Sequence, residues 1–415
     1  MNPLKKLFKQ TAIYGLATVL PRMLNFLLLP LYTSVLITAG YGELSIVFAW
    51  IIIFNVVLAY GMETAFFRFY NKVENKETVV STSLLSILAS TVLFVILASF
   101  SQSGMANFSG VAPQYVKYAT WILALDALAI IPFAWLRATE RPLRYAVIKI
   151  GNVLVNLGLN IFFLLYLPKM AQQYPEGFAS GVYRPNFELG YIFFSNLVAS
   201  GLTLGALLPL YLKTSYTFDW TLWKQMLNYA WPILVAGLAF SINEAFDRIL
   251  LERLLPEDVA ASEIGKYAAC YKLGMFMMLF ATAFRLGIEP FFFSHAGTEH
   301  PERAYAQITN YFVILGSVIL LSVVVFSDVL KVLFIDNDTY WEAMDIVPLI
   351  LLASFFLGIY HNLSVWYKVT DRTRFGAYIS LIGALLTIIL NIGLIPSLGY
   401  VASAIATLVA YGSMM

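Results

Sequence analysis

The chain has 415 residues, of which 60% are hydrophobic and only 12% charged, and a formal net charge of +2. A water-soluble domain sits nearer half apolar and a quarter charged, so this composition requires lipid as solvent and excludes a nucleic-acid partner held by a basic surface. One cysteine, Cys270, can form no intramolecular disulfide, and His295, His300 and His361 have no metal-ligand spacing.

The basic start around Lys5, Lys6 and Lys9 is followed by an apolar stretch too long for a cleavable signal. Spanning a bilayer takes ~20 apolar residues. On that measure twelve helices are predicted, at roughly 11–37, 44–69, 79–100, 116–138, 143–167, 189–212, 222–251, 264–293, 304–327, 341–367, 374–395 and 399–415. Barrel strands are short and alternating, which these runs are not. Pro21 and Pro30 interrupt the first span and Pro232 the seventh, each removing a backbone donor and favouring a bend. The longest extracytoplasmic loop, about 168–188, is too short for a catalytic domain. The chain stops at Met415 inside an apolar segment, which is expected of a piece of a longer protein or of a short protein with twelve spans.

Loop charge sets orientation. The N-terminus and the loops after even-numbered spans carry fifteen Lys and Arg residues, the opposite side six, which predicts a cytoplasmic N-terminus.

The chain also reads as a duplication. Leu7-Phe8-Lys9-Gln10 with Tyr14 returns as Leu222-Trp223-Lys224-Gln225 with Tyr229. Gly61-Met62-Glu63 returns as Gly287-Ile288-Glu289, and Trp135, Arg137, Thr139, Glu140, Arg141 and Asn160 return as Trp366, Lys368, Thr370, Asp371, Arg372 and Asn391. The expected fold is therefore all-α and polytopic, with about twelve transmembrane helices in two six-helix bundles, 1–213 and 220–415. Six spans is an even number, so the two copies should point the same way, with any cargo path at their interface.

Charges within spans are the candidate functional groups, because each costs ~2.5–3.5 kcal/mol on insertion scales and must face a partner or a cavity. The basic set is Arg22, Lys149, Arg248, Lys272 and Arg285; the acidic set is Glu63, Asp126, Glu244, Asp247 and Glu289. Several have a purely structural explanation. Glu244, Arg248 and Glu252 are spaced i, i+4, i+8 and Arg285 and Glu289 i, i+4, so each group can close its own ion pairs. Lys149 and Lys272 can snorkel to a helix end. Arg137, Arg141, Lys368 and Arg372 sit at a cytoplasmic rim where topology alone would put them. Arg22 has no acidic residue at i±3 or i±4, only Asn25, so it needs a partner from another helix or an anionic cargo. Arg68 is a second candidate of that kind. Asn25, Asn55, Asn156 and Asn243 could meet sugar, or simply bond between helices.

Leu29-Pro30-Leu31-Tyr32-Thr33 with Gly40-Tyr41-Gly42 resembles the opening of the polysaccharide-transport family. Asp247-Arg248, Ile264-Gly265-Lys266-Tyr267 and Tyr271-Lys272-Leu273 resemble its seventh and eighth spans, and Gly399-Tyr400-Val401-Ala402-Ser403 its twelfth. The resemblance implies the V-shaped, alternating-access fold of the superfamily that also holds the multidrug and toxic-compound extrusion transporters and the lipid II flippase. It implies transport of undecaprenyl-diphosphate-linked oligosaccharides to the outer leaflet of the bacterial inner membrane for O-antigen, capsule or exopolysaccharide, alongside polysaccharide-assembly proteins. Family members often have two further helices. On this reading Arg22, Asn25, Arg68, Arg248, Lys272 and Arg285 line the cargo site, because guanidinium forks bind phosphate oxygens in pairs. Glu63, Asp126, Asp247 and Glu289 are the carboxylates available for coupling to Na+ or H+, and no other cofactor is expected. Rival readings are a cation-coupled drug antiporter or lipid II flippase of the same fold, and a membrane glycosyltransferase or polymerase, against which the short external loops argue.

Overall fold

Backbone amides in hydrocarbon must be paired within their own segment, and the chain meets that demand by folding as helix, with no strand among the described residues. The structure, a computed structural model, describes residues 3–295, 301–369, 372 and 374–415, except the side chains of 3–12, 287, 289–295, 301–302, 304 and 368–369. The first pass is α1 (Pro3–Phe26) followed by α2 (Leu28–Val35). Its break falls at Leu27 and not at Pro21; Pro30 lies in the first turn of α2, where a missing N–H leaves no bond unmade. The second pass is α3 (Thr38–Ala59) and α4 (Met62–Lys72), joined through Tyr60 and Gly61, both at positive φ.

Next come α5 (Lys76–Phe100), the short α6 (Gln102–Ser109), α7 (Pro113–Ala138) and α8 (Pro142–Ile161). A π-helical turn, Phe162–Tyr166, carries α8 into α9 (Leu167–Gln173), and α10 (Phe178–Val182) leads to α11 (Glu188–Leu212). The second half holds α12 (Trp220–Leu254), α13 (Glu257–Leu273), α14 (Met275–His295), α15 (Pro301–Val325) and α16 (Ser327–Phe334). A 3₁₀ stretch, Asp338–Ile346, opens into α17 (Val347–Leu363), and α18 (Val365–Val369), α19 (Arg374–Leu398) and α20 (Tyr400–Met414) complete the chain.

Among the described residues nine helical stretches are long and apolar enough to cross a bilayer, and α13 with α14 as far as Leu286, bent by 44°, makes a tenth. The two remaining expected spans correspond to α12, which has 35 residues and carries Glu244, Asp247, Arg248 and Glu252 in its second half, and α20, an apolar helix of 15 residues.

Two compact units result: Met1–Ile46 with Ala239–Met415, and Val47–Leu238. The chain passes from one unit to the other inside α3 and again inside α12.

In the second unit, Val47–Leu238, α4, α5, α7 and the start of α12 bury Met62, Phe66, Val79, Ile87, Ile131 and Met226 against one another. Gly61 is required there twice over: its φ is +72°, and a Cβ would lie 2.5 Å from the Ala230 carbonyl oxygen. Asn75 caps α5 by accepting from the Thr78 amide at 3.2 Å, a contribution of ~1 kcal/mol.

In the first unit, α1 packs along α14, and α3 crosses α13 at its small residues. A Cβ on Gly42 would sit 1.8 Å from the Ala261 carbonyl oxygen, and one on Gly265 1.9 Å from that of Thr38. The two helices therefore touch backbone to backbone, with Thr38 Oγ1 and Ser262 Oγ sharing a 2.7 Å hydrogen bond beside the crossing. Tyr340, fully buried, donates to the Leu36 carbonyl at 2.8 Å and ties the 3₁₀ stretch to the same corner.

Candidate functional site

Four helices of the first unit bring charge together. On α12 the 3.6-residue period places Asn243, Glu244, Asp247 and Arg248 on neighbouring faces. Asp247 is 3% exposed and fully engaged: its Oδ1 accepts from the Arg248 amide at 2.8 Å and from Arg248 Nη1 at 2.9 Å. Its Oδ2 accepts from the Tyr267 hydroxyl of α13 at 2.6 Å. Arg248 also donates to the Glu244 backbone carbonyl at 2.8 Å and stacks over Tyr271 at 4.6 Å. Its ion pair is thus with Asp247, not with the carboxylates one turn away at Glu244 and Glu252 that helical spacing suggested. The Tyr267 hydroxyl holds Asp247 where Arg248 can fold back onto it, which spacing along one helix cannot reveal.

Glu244 is the opposite case. It lies in the field of Arg22 from α1, Lys272 from α13 and Arg248 from its own helix, yet no hydrogen bond to its carboxylate exists among the described residues. Arg22 is exposed and donates through Nη1 to Thr282 Oγ1 of α14 at 3.2 Å. That contact reaches another helix, but it is to a hydroxyl and not to a carboxylate. Lys272 is half-buried, and neither it nor Arg22 makes a salt bridge among the described residues. Asn25 is exposed three residues along from Arg22. Arg285 is half-buried on α14; its pairing with Glu289 rests on a side chain outside the described residues.

A second polar set in this unit is closed. Asn243 accepts from Thr387 at 3.0 Å, Asn391 accepts from Ser403 at 2.6 Å and donates to the Thr387 carbonyl at 2.7 Å, and Thr407 donates to the Ser403 carbonyl. Every member has a partner, so this network binds α12, α19 and α20 together. In the second unit Asn156 accepts from Asn160, one turn along the same helix α8, through both its backbone and side-chain oxygens.

The charges of the second unit separate into two groups. At the α4 end, Glu63 pairs with Arg137 of α7, which also lies over Phe67 and Tyr145. An expected coupling carboxylate and an expected rim cation thus occupy one another. Arg68 is exposed and stacks on Tyr229 of α12 at 4.2 Å, and Arg141 is exposed at the start of α8. Both Glu63 and Arg137 are about a third or more exposed, at 44% and 32%, so screening leaves the pair little energy. Glu63→Gln is expected to cost under ~1 kcal/mol in a thermal melt. Deeper in the bundle, Asp126 of α7 accepts from Ser200 of α11 at 2.8 Å and lies in the field of Lys149 of α8. Lys149 sits over the Phe133 ring at 4.4 Å. It faces helices of its own unit, which the snorkelling explanation did not anticipate. Arg372 is exposed over Trp366 in the first unit, and Lys368 lies outside the described side chains.

Sequence reasoning missed Thr282, and it quoted Tyr267 and Tyr271 as motif residues without their contacts to Asp247 and Arg248 of the preceding helix. It placed Glu244 in an ion pair by spacing; the signal that could have set it apart is the stronger competitor one turn on, Asp247, adjacent to the same arginine.

A multi-pass, all-helical protein with ionisable side chains gathered inside its helices is the class these observations define. A polysaccharide biosynthesis protein family model matches residues 7–293, and a MatE family model residues 232–392. The chain belongs to the polysaccharide biosynthesis protein family, within the superfamily of multidrug, oligosaccharidyl-lipid and polysaccharide exporters. Among solved structures it is similar to an inward-facing multidrug resistance MATE family transporter (13% identity, 97% of this chain and 92% of that chain, TM-score 0.70). It is also similar to the lipid II flippase MurJ in an inward closed conformation (16% identity, 96% and 85%, TM-score 0.68). A third is a MOP superfamily transporter from Pyrococcus furiosus, described by the reverse polarity of its binding pocket (15% identity, 100% and 94%, TM-score 0.66). At these identities what is shared is the fold. No curated protein matches. The family and the neighbours are those of transporters and flippases, and the chain is a multi-pass membrane protein of that superfamily.

Proposed function

We propose that the protein is a flippase carrying a polyprenyl-diphosphate-linked oligosaccharide from the inner to the outer leaflet of the bacterial cytoplasmic membrane, with its N-terminus in the cytoplasm. The observation that carries this reading is the group Arg22, Lys272, Arg248 and Glu244, in which Arg22 and Lys272 are committed to no carboxylate by a salt bridge. A guanidinium binds phosphate oxygens in bidentate pairs and an ammonium adds a compact positive charge, so the two together suit a diphosphate. Asn25, Arg68 and Arg285 are the further candidates for contact with the headgroup, and Arg137, Arg141, Lys368 and Arg372 for the rim by which it enters. An inside-negative potential contributes ~2.3 kcal/mol per charge per 100 mV toward moving an anion outward. Coupling to H+ or Na+ would act through an intramembrane carboxylate. Glu63, Asp126, Asp247 and Glu289 are candidates by position, and Glu244 joins them because its carboxylate is unbonded. The match to MatE and the unbonded carboxylate of Glu244 in the field of Arg22 favour a cation antiporter as the second reading.

The test is flipping of a fluorescent polyprenyl-diphosphate oligosaccharide in vesicles. Arg22→Ala and Lys272→Ala are each expected to lower the rate about tenfold or more, the loss of one charge-assisted phosphate contact, while the protein stays folded. Undiminished flipping in both would remove the cluster from the cargo site. Transport of cationic drugs with no flipping would establish the antiporter instead.

A further inference from the structure

The Arg248 guanidinium is hydrogen-bonded at one corner. Nη1 uses both its hydrogens, on Asp247 Oδ1 at 2.9 Å and on the Glu244 backbone carbonyl at 2.8 Å. Nε and Nη2 meet no carboxylate or carbonyl among the described residues. The Tyr271 hydroxyl lies within hydrogen-bonding reach of the guanidinium. A neutral hydroxyl yields to an anionic oxygen, whose charge-assisted bonds are roughly twice as strong. The Nε–Nη2 edge is therefore a fork able to take two phosphate oxygens. Arg248 is also the outer partner of its ion pair: its side chain is 14% exposed and that of Asp247 4%.

A short run of buried contacts sets the direction of that edge. Tyr267 is fully buried, and its hydroxyl donates to Asp247 Oδ2 at 2.6 Å. With Oδ2 held from α13 and Oδ1 bonded to the Arg248 amide at 2.8 Å, the carboxylate is fixed at both oxygens. Arg248 Nη1 is thus pinned against an oxygen that does not turn, and the Tyr271 ring 4.6 Å away backs the guanidinium. The outcome is orientation without net charge, because Arg248 and Asp247 cancel. Arg22 and Lys272, which make no salt bridge among the described residues, share the field of Glu244 with Arg248 and supply the attraction. Charge and direction come from different side chains.

We propose that Tyr267 is a positioning residue for anion binding: acting through Asp247, it aims the Nε–Nη2 edge of Arg248 at a pair of phosphate oxygens. This rests on the diphosphate reading of the site given above. The probe is farnesyl diphosphate, titrated into the full chain in nanodiscs, and four proteins are compared: wild type, Tyr267→Phe, Arg248→Lys and the double variant. Arg248→Lys keeps a counter-charge for Asp247 but loses the fork, so binding should weaken about tenfold, the loss of one bidentate contact. Tyr267→Phe keeps the ring and removes the hydroxyl. It should weaken binding several-fold by itself, and by under about twofold in the Arg248→Lys background, where no planar edge is left to aim. A purely structural role would give the same loss in both backgrounds. If Arg248→Lys does not fold, salt dependence decides: Tyr267→Phe should weaken binding by one constant factor from low to high NaCl, because orientation is lost and charge is not. Wild-type affinity in Tyr267→Phe, an equal loss in both backgrounds, or a loss that varies with salt overturns the assignment. Binding that falls in Arg22→Ala but not in Tyr267→Phe removes this assignment and leaves the diphosphate reading. No binding by the wild-type protein removes both, and the expected pattern without flipping in vesicles removes the flippase alone.

Discussion

Asp247→Ala is expected to destabilise the protein by ~3–5 kcal/mol, seen as a large drop in its melting temperature in detergent. The carboxylate is 3% exposed and accepts three hydrogen bonds, two from Arg248 and one from Tyr267. Removing it leaves a guanidinium among Tyr267 and Tyr271 without its ion-pair partner, and breaking one side of a buried pair costs far more than the pair contributes intact. Glu244→Gln on the same helix is the matched comparison. Its carboxylate holds no hydrogen bond, so the melting temperature should barely move while transport changes. If the two variants melt alike, the distinction between a fixed and an uncommitted acid is wrong.

The second large effect concerns the α3–α13 crossing. Gly42→Val and Gly265→Val each put carbon where a carbonyl oxygen already lies, at 1.8 and 1.9 Å from the first side-chain atom, so the helices must separate. Overpacking of this kind typically costs ~1–3 kcal/mol, and a collision with backbone, which cannot rotate away, belongs at or above the upper end. Separation would also break the Thr38–Ser262 bond. Little folded protein should be recovered from either variant. Gly205→Ala is the control: nothing lies within 4 Å of its Cβ position, and removing a helix-interior glycine should stabilise by ~0.5–1 kcal/mol. Equal melting temperatures for Gly42→Ala and Gly205→Ala would show that the crossing is looser than its geometry.

The site was legible in the sequence to a different degree at each residue. Arg22 could be singled out because a cation mid-span with no acid on its own helix must look elsewhere, and it does, to Thr282. Arg248 could be located but not partnered. Spacing offered Glu244 and Glu252 one turn away, whereas Tyr267, from a different helix, fixed the nearer Asp247 as its counter-ion. Lys149 was readable as a charge but not as a member of the Asp126 and Ser200 group, because that depends on how α7, α8 and α11 are rotated against one another. The proline positions were visible, and the first pass breaks at Leu27, within the turn before Pro30, whose ring cannot bond to the carbonyl four residues back, while α1 runs on through Pro21.

Composition and apolar run length by themselves determined that the chain is helical and lives in lipid, because a backbone in hydrocarbon has no other way to pair its amides within one segment. The family motifs were likewise readable residue by residue, and the family match agrees with those between residues 7 and 293. Only the tertiary structure decided which helices share a unit and which carboxylate neutralises which cation. Those are properties of contacts between residues tens to hundreds of positions apart, and a periodicity along one helix reports its own faces, never what is packed against them.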